Sequence, residues 1–598
     1  MTSTSVQKPM STSAINLADS ARPLPRKLRF GSFEVDLQER ELYNRGIRIG
    51  LQHKPFRILE LLLRKRGVLV TREELAQYLW PDLHVSFDRG LNTAVNVLRR
   101  TLGDSPTNCR YIETRSGLGY RFIAHVEEIG EPDPAAVAAP AHSIAVLPFD
   151  AAPSDSTLVL LADGMTESLI ARLSALGDIR VIARTTAFYF RGKHNRAQAQ
   201  AAGSDLKVRT ILTGRITREG EWLRISTELI EVESARRLWG DDFTTLPVGI
   251  LSAEKKICEA VSQTLGLPNH RPRPVYKTYT TSFEAYQDYL KGRYFYSKMT
   301  EENLRKSIAY FESALKQDPG YALAYSGLAN TYSLFALTGV LPAAVAHVRS
   351  REFALAALQI DHKLPEAHAA LGGVKKLFEW DWAGAEKEYL TALDLNPNYA
   401  DGRHWYAALL CCLGRMEEAM HELRRAQELD PLSVVISTEI AWTFYMSRDF
   451  QAAAEQSWKT LAIEAKHAPA QHTLGLACEQ SGLFEEAITE FENARICSGD
   501  HPVTIAAHAH AQASSGNRDQ ALRTLRELEE ISLRRHVSPY WMSIVHAGLG
   551  AHETAFEWLE KALDERDAWL VWMKVEPRFD PLRPNIHFDR ALQRLGLL

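Results

Sequence analysis

The chain has 598 residues, 45% hydrophobic and 24% charged, the balance of a globular protein with several cores; at about 100–200 residues per domain it holds three to five. Seventy Lys/Arg against 74 Asp/Glu give a net charge of -4, which excludes a uniformly basic nucleic-acid coat but leaves room for one local basic face. Six cysteines with no C-x-x-C pair exclude a disulfide scaffold and a zinc ribbon, and no run approaches the ~18 apolar residues that a bilayer-spanning helix needs.

Residues 1–27 are rich in Ser, Thr and Pro and lack the apolar core of a signal peptide; they read as a disordered lead, and the chain as cytoplasmic with no membrane partner. From 28 to 124 the pattern is that of one small domain. LRFGSFEVD, ELYNR and GIRIG alternate by two and predict short strands. PFRILELLLRKRG predicts an amphipathic helix with Phe56, Leu59, Leu62 and Leu63 inward, stopped at Gly67. Thr71 and Glu74 form a capping box that opens a second helix through Trp80, ended by Pro81. Ser86 is placed to cap a third helix, which runs to about Leu102 before Gly103.

In this third helix Leu91, Val95, Leu98 and Leu102 make one buried stripe. The opposite side offers Arg89, Asn92, Thr93, Asn96, Arg99 and Arg100. A DNA major groove is about 12 Å wide and admits one helix, and Arg and Asn carry the forked hydrogen-bonding groups that match guanine and adenine edges. The run YIETRSGLGYRF predicts a hairpin with its turn at Gly117 and Gly119; Arg115 and Arg121 are available to phosphate or the minor groove, and Tyr111, Tyr120 and Phe122 anchor it. Residues 28–122 hold 16 Lys/Arg against 11 Asp/Glu, so the basic character is local, as an electrostatic footprint on DNA requires.

The runs DRGLNTAVNVLRRTLGD and CRYIETRSGLGYRF resemble the winged helix-turn-helix DNA-binding domain of the OmpR/PhoB type, in the version found in CadC-like and ToxR-like regulators. The resemblance implies a four-stranded sheet ahead of three helices, a third helix in the major groove and a wing in the adjacent minor groove. It gives Arg89, Asn92, Asn96, Arg99 and Arg100 the groove and backbone roles, Arg115 the wing role, and Lys54 and Arg72 phosphate contacts. It also implies head-to-tail self-association on tandem sites in double-stranded promoter DNA. Gly90 inside the reading helix departs from a good helix former by roughly 1 kcal/mol. Neither a receiver ahead of this domain nor a membrane helix after it is expected.

Residues 125–142, with EPDPAAVAAP, read as a linker. Residues 143–267 mix strands and helices: SIAVLPF as a strand, LADGMTESLIARLSAL as loop then helix, DIRVIAR as a strand, then a three-stranded meander turning at Arg218–Gly220 and Glu233–Ser234, and a helix over 252–265. Asp163-Gly164 reads as a plain loop at a helix start rather than a nucleotide site, and Asp241-Asp242 as a strand end rather than a metal pair. SIAVLPF, ADGMTESLIARLS, ILTGRI and RRLWGDDF resemble the TolB-like or FlgO-like α/β domain.

A basic joint over 268–282 precedes a repeat. Ala385, Ala419, Ala453, Ala487, Ala521 and Ala555 follow one another at steps of 34 residues, with a second small or apolar position seven later, from Ala392 to Ala562. Small residues at i and i+7 share a helix face and let helix pairs stack closely. The pattern resembles tetratricopeptide repeats, seven or eight units over 283–565, with a capping segment at 566–598. The fold class is therefore multidomain α/β plus all-α.

No hydrolase, zincin, P-loop or EF-hand motif occurs, and no enzyme activity, cofactor or metal is expected. His508 and His510, two apart on a helix, point about 200° apart and do not share a ligand. Trp405, Tyr406, Trp442, Phe444 and Tyr445 line a concave face or pack between helices. The function expected is a sequence-specific DNA-binding transcriptional regulator whose C-terminal domains receive a protein, peptide or small-molecule effector. The alternative is a protein-interaction scaffold with a nonspecific or vestigial DNA-binding module.

Overall fold

The computed structural model describes residues 27–37, 41–44, 47–49, 51, 53–79, 88–104, 109–115, 118–129, 142–192, 196–267 and 280–598. The N-terminal lead, most of both linkers, the Trp80–Ser86 connection and the 116–117 hairpin tip lie outside the described residues. Two units follow one another, residues 1–138 and 139–598.

In the first unit, strands β1 (Lys27–Phe30), β2 (Phe33–Asp36), β3 (Glu41–Asn44) and β4 (Ile47–Ile49) pair antiparallel in sequence order, as the two to four residues between successive strands require. Helices α1 (His53–Arg64), α2 (Arg72–Leu79) and α3 (Asp88–Leu102) follow, with β5 (Leu69–Thr71) between the first two. The expected inward residues of α1 and the stripe of α3 are buried in one core. The capping box at α2 is reciprocal: Glu74 N donates to Thr71 Oγ1 and Thr71 N to Glu74 Oε2, each at 3.1 Å.

The wing is β6 (Ile112–Arg115) and β7 (Gly119–Phe122), and β7 also pairs with β5. Gly119 is required there, because a Cβ would sit 2.1 Å from the Val70 carbonyl oxygen. Phe30, Phe33, Tyr111 and Phe122 stack within 5.0–6.5 Å of one another, joining the wing to the first sheet. One correction concerns the linker: its residues Glu127–Ile129 form β8, which pairs with β1 and makes the sheet five-stranded, β4-β3-β2-β1-β8. Three residues are too short to show alternation, and the partner strand is about a hundred residues away in sequence.

The second unit opens with a sheet of order β10-β9-β11-β12-β13, in which β9 (Ser143–Val146), β10 (Arg180–Val181) and the start of β11 (Thr210–Glu219) are parallel. The expected meander is present: β11 pairs antiparallel with β12 (Trp222–Glu231), and β12 with β13 (Arg237–Thr245). Helix α4 (Ser156–Ser174) starts seven residues before Asp163, so Asp163-Gly164 lies inside a helix and not in a loop at its start. Asp155 caps it, accepting from Leu158 N at 2.9 Å. Asp163 is paired with Arg191 at 2.8 Å through both carboxylate oxygens. Gly164 is a packing residue, since a Cβ would lie 2.1 Å from Leu290 Cδ1. Helices α5 (Arg184–Tyr189), α6 (Arg196–Asp205) and α7 (Ile250–Thr264) complete this α/β part.

Eight antiparallel helix pairs follow, from Phe283–Tyr296 with Glu301–Gln317 to Pro539–Gly548 with His552–Asp564. The alanines at 34-residue spacing are all fully buried where the pairs stack. First helices of successive pairs pack on each other from the first pair to the eighth, whereas second helices have no comparable packing on each other. The first helices therefore form the inner wall of a curved stack.

The α/β part docks on this stack at three points. Ala183 N donates to Leu429 O (2.8 Å) and Thr186 N to the Asp430 carboxylate (2.8 Å). Asn398 Nδ2 donates to Ser174 O (3.1 Å) and Ile179 O (2.8 Å). The fully buried Glu254 of α7 accepts from Ser168 Oγ (2.5 Å) and from Tyr286 OH of the first repeat helix (2.9 Å), with Arg172 at 3.7 Å.

Burial pushes the Glu254 carboxyl up to about 7 from 4.5, and burial likewise lifts Asp430 to about 6. Between about pH 4.5 and 7 the folded unit holds a proton on Glu254 that the unfolded chain has released. Stability from this group is thus full below that window and falls as pH rises through it, by about 3 kcal/mol. Urea unfolding from pH 5 to 8 should show the second unit weakening with pH, and Glu254→Gln should flatten that slope. An unchanged slope in the variant counts against the assignment.

Candidate nucleic-acid interface

Helix α3 carries three exposed polar side chains one turn apart, Asn92, Asn96 and Arg100, on the side away from Leu91, Val95, Leu98 and Leu102. Arg89 and Thr93 lie in the same helix, and their side chains are outside the described residues. Arg99 does not join this row. It is 5% exposed, and its Nη2 donates to Ile112 O (2.8 Å) and Thr114 Oγ1 (2.7 Å) of the wing. This corrects its expected place on the outer face. Arg99 follows Val95 by four residues, next to the buried stripe, and it serves to fix the wing against α3. Asp104, just past α3, accepts from Arg110 N and Ile112 N at 2.7 Å each, holding the same strand.

Asn92 is exposed but not unattached: its Oδ1 accepts from Arg72 Nη2 (3.0 Å) and Tyr120 OH (3.2 Å), and Arg72 Nη1 also donates to Tyr120 OH (3.1 Å). Arg72, expected as a phosphate contact, is thereby engaged in a bracket joining α2, α3 and β7. The sequence marks Tyr120 only as an anchor of the hairpin, because a hydroxyl with two polar partners on other elements has no local signature. Lys54 is exposed in the first turn of α1.

On the wing, Arg121 Nε donates to Glu113 Oε2 (2.7 Å), and Arg115 Nη2 lies 3.0 Å from Glu113 Oε1. One carboxylate thus orients both arginines, and one net positive charge remains on an exposed hairpin. Asn96 and Arg100 are the exposed groups that project past this framework, and an amide and a guanidinium one turn apart are suited to bidentate contact with base edges or to a phosphate.

In the second unit the aromatic candidates are largely occupied. Tyr406 is buried and donates to Glu386 Oε1 (2.8 Å), and Trp405 packs edge-on against Tyr399. Trp442 meets Trp572 edge to face at 5.5 Å, and Tyr445 OH donates to Glu576 Oε1 (2.7 Å). Phe444 is half-buried. Residues 566–582 thus lie across the inner wall: Arg566 Nη1 donates to Phe378 O (2.7 Å), Trp569 Nε1 to Leu337 O (3.3 Å), and Phe579 packs on Tyr540. His508 and His510 are buried separately, His510 against Glu479 and His508 against Gln512, and no metal-ligand cluster occurs among the described residues. No helix among the described residues is long and apolar enough to cross a membrane.

Residues 46–122 match the family described as "Transcriptional regulatory protein, C terminal". The chain is 22% identical over 573 residues to the transcriptional regulator HilA of Salmonella typhimurium, covering 94% of this chain and 99% of that protein. Over 302 residues it is 26% identical to a putative adenylate cyclase 3 of Rhizobium meliloti, covering 49% of this chain and 43% of that protein. Over 93 residues it is 37% identical to the transcriptional regulatory protein KdpE of Mycobacterium tuberculosis, covering 16% of this chain and 41% of that protein. With the winged-helix geometry and the family match in agreement, the chain is a DNA-binding transcriptional regulator.

Proposed function

We propose that this regulator is sequence-specific and non-catalytic. Asn92, Asn96 and Arg100 of α3, with Arg89 and Thr93 of the same helix, read base edges and backbone in the major groove; Arg115 and Arg121 of the wing and Lys54 of α1 touch phosphates or the minor groove. The observation that carries this reading is the exposed Asn92–Asn96–Arg100 row on a helix whose other face is locked into a core. The second unit, a TolB-like α/β module docked on tetratricopeptide repeats, receives the effector. The protein occupies tandem promoter sites head to tail, and it resides in the cytoplasm.

The test is selection of full-length protein on a random duplex pool at two salt concentrations, followed by sequencing. A shared motif, especially a direct repeat, is the expected result. Binding that is motif-free and falls steeply with salt would favour a nonspecific DNA tether on an interaction scaffold.

A further inference from the structure

Two asparagines, Asn92 and Asn96, stand one turn apart on the exposed side of α3, and their amides are not equivalent. Asn92 Oδ1 accepts from Arg72 Nη2 at 3.0 Å and from Tyr120 OH at 3.2 Å, so both of its lone pairs are taken. Arg72 Nη1 in turn donates to Tyr120 OH at 3.1 Å. The protons admit one arrangement. A guanidinium only donates, so the Asn92 atom that faces Arg72 is the amide oxygen. The Tyr120 oxygen receives a proton from Arg72, and its own single proton goes to that same amide oxygen. Turning the amide over would set an NH2 against a guanidinium, donor against donor.

The other end of this amide is free. Asn92 is exposed, and its Nδ2 has no hydrogen-bond partner among the described residues. Asn92 therefore offers the outside two N–H donors and no acceptor. Asn96 has neither end engaged among the described residues and presents donor and acceptor together. An asparagine recognises adenine by using both ends at once, on N6 and N7. Asn96 has both ends for that contact. Asn92 would first have to give up Arg72 and Tyr120, which would leave two donors unpaired.

Resting on the regulator reading above, we infer that Asn92 meets DNA as a pure hydrogen-bond donor to an acceptor oxygen, and that adenine reading by these two asparagines falls to Asn96 alone. Two oxygens on DNA have the required chemistry. One is the keto oxygen of a base in the major groove, guanine O6 or thymine O4; the other is a phosphate oxygen. The amino groups of adenine and cytosine are donors and are turned away by the same NH2. Arg72 and Tyr120 thus set which half of Asn92 the DNA encounters.

The experiment uses the full chain, with duplex selection and anisotropy on wild type, Asn92→Asp and Asn92→Ala. Asn92→Asp keeps an acceptor for Arg72 and Tyr120 but replaces the outward NH2 with a carboxylate oxygen. Its unfolding midpoint should match wild type, while its DNA affinity falls at least about fivefold. Asn92→Ala also lacks the donor and suits a helix, so it reads the same loss in a second background. With a keto target, both variants lose one guanine or thymine from the motif. Replacing that base by 2,6-diaminopurine or 5-methylcytosine, which carry an amino group there, should then weaken wild type by a similar factor. With a phosphate target, both variants keep the motif and bind motif and scrambled duplexes more weakly alike. Either result supports the inference. Wild-type affinity in both variants, or the loss of an adenine from the motif, overturns it. A wild type that selects no motif, with duplex affinity still lowered by Asn92→Asp, counts against the regulator reading alone.

Discussion

Arg578→Met should destabilise the second unit by about 3–5 kcal/mol, because it removes one partner of a buried ion pair and leaves the other charged. The Arg578 and Glu576 side chains are 0% and 1% exposed, joined by two hydrogen bonds, Nε to Oε1 at 3.0 Å and Nη2 to Oε2 at 2.9 Å. The guanidinium also lies 5.6 Å from the Trp541 ring centroid. Glu576 has a third role, since its Oε1 accepts from Tyr445 OH on the inner wall. Losing Arg578 therefore weakens the attachment of the whole C-terminal segment. The check is urea unfolding of wild type, Arg578→Met and the double variant Glu576→Leu/Arg578→Met, with protease sensitivity near residue 570 as a local readout. The double variant removes both charges and should recover much of the loss. A single variant within about 1 kcal/mol of wild type would mean that the pair does not hold the segment.

Asn96→Ala with Arg100→Ala should lower affinity for the selected motif by about 1–3 kcal/mol per lost base contact, roughly 5- to 150-fold for each residue, with the unfolding midpoint unchanged. Both side chains are exposed on α3, and among the described residues no side-chain hydrogen bond of the winged-helix framework passes through them. Arg99→Ala should behave in the opposite way. It strips two hydrogen bonds from the wing and leaves the Ile112 carbonyl without its arginine donor, costing about 1.5–3 kcal/mol of stability in the first unit. Arg115→Ala, on the wing, should weaken binding to all sequences alike and reduce the salt slope by about one. Anisotropy on motif and scrambled duplexes, alongside thermal unfolding of each variant, separates these roles. Equal motif preference in the Asn96/Arg100 variant and wild type would remove α3 as the reading element.

Much of this protein was legible because its signals are local. A 3.6-residue period places the α1 and α3 stripes, the Thr71–Glu74 pair opens α2, and the 34-residue step of small residues locates the repeats, since each pair must present the same close-packing face to the next. The wing and the three-stranded meander follow from their turns. What the sequence left undecided, or had placed otherwise, depends on residues distant in the chain. Strand β8 exists because β1 offers it an edge. Asp163-Gly164 lies inside α4, which Asp155 caps eight residues earlier, and position 164 is glycine because Leu290 of the first repeat occupies the space that a side chain would fill. Arg99 has the residue type of a DNA contact, but its position beside the buried stripe and the acceptors on β6 turn it inward. The aromatic residues of the repeats could not be divided into wall and core from spacing alone. Only the path of residues 566–582 across the inner wall decides that Trp442 and Tyr445 hold the chain's own C-terminal segment, because the fit of that segment depends on the curvature of the whole stack.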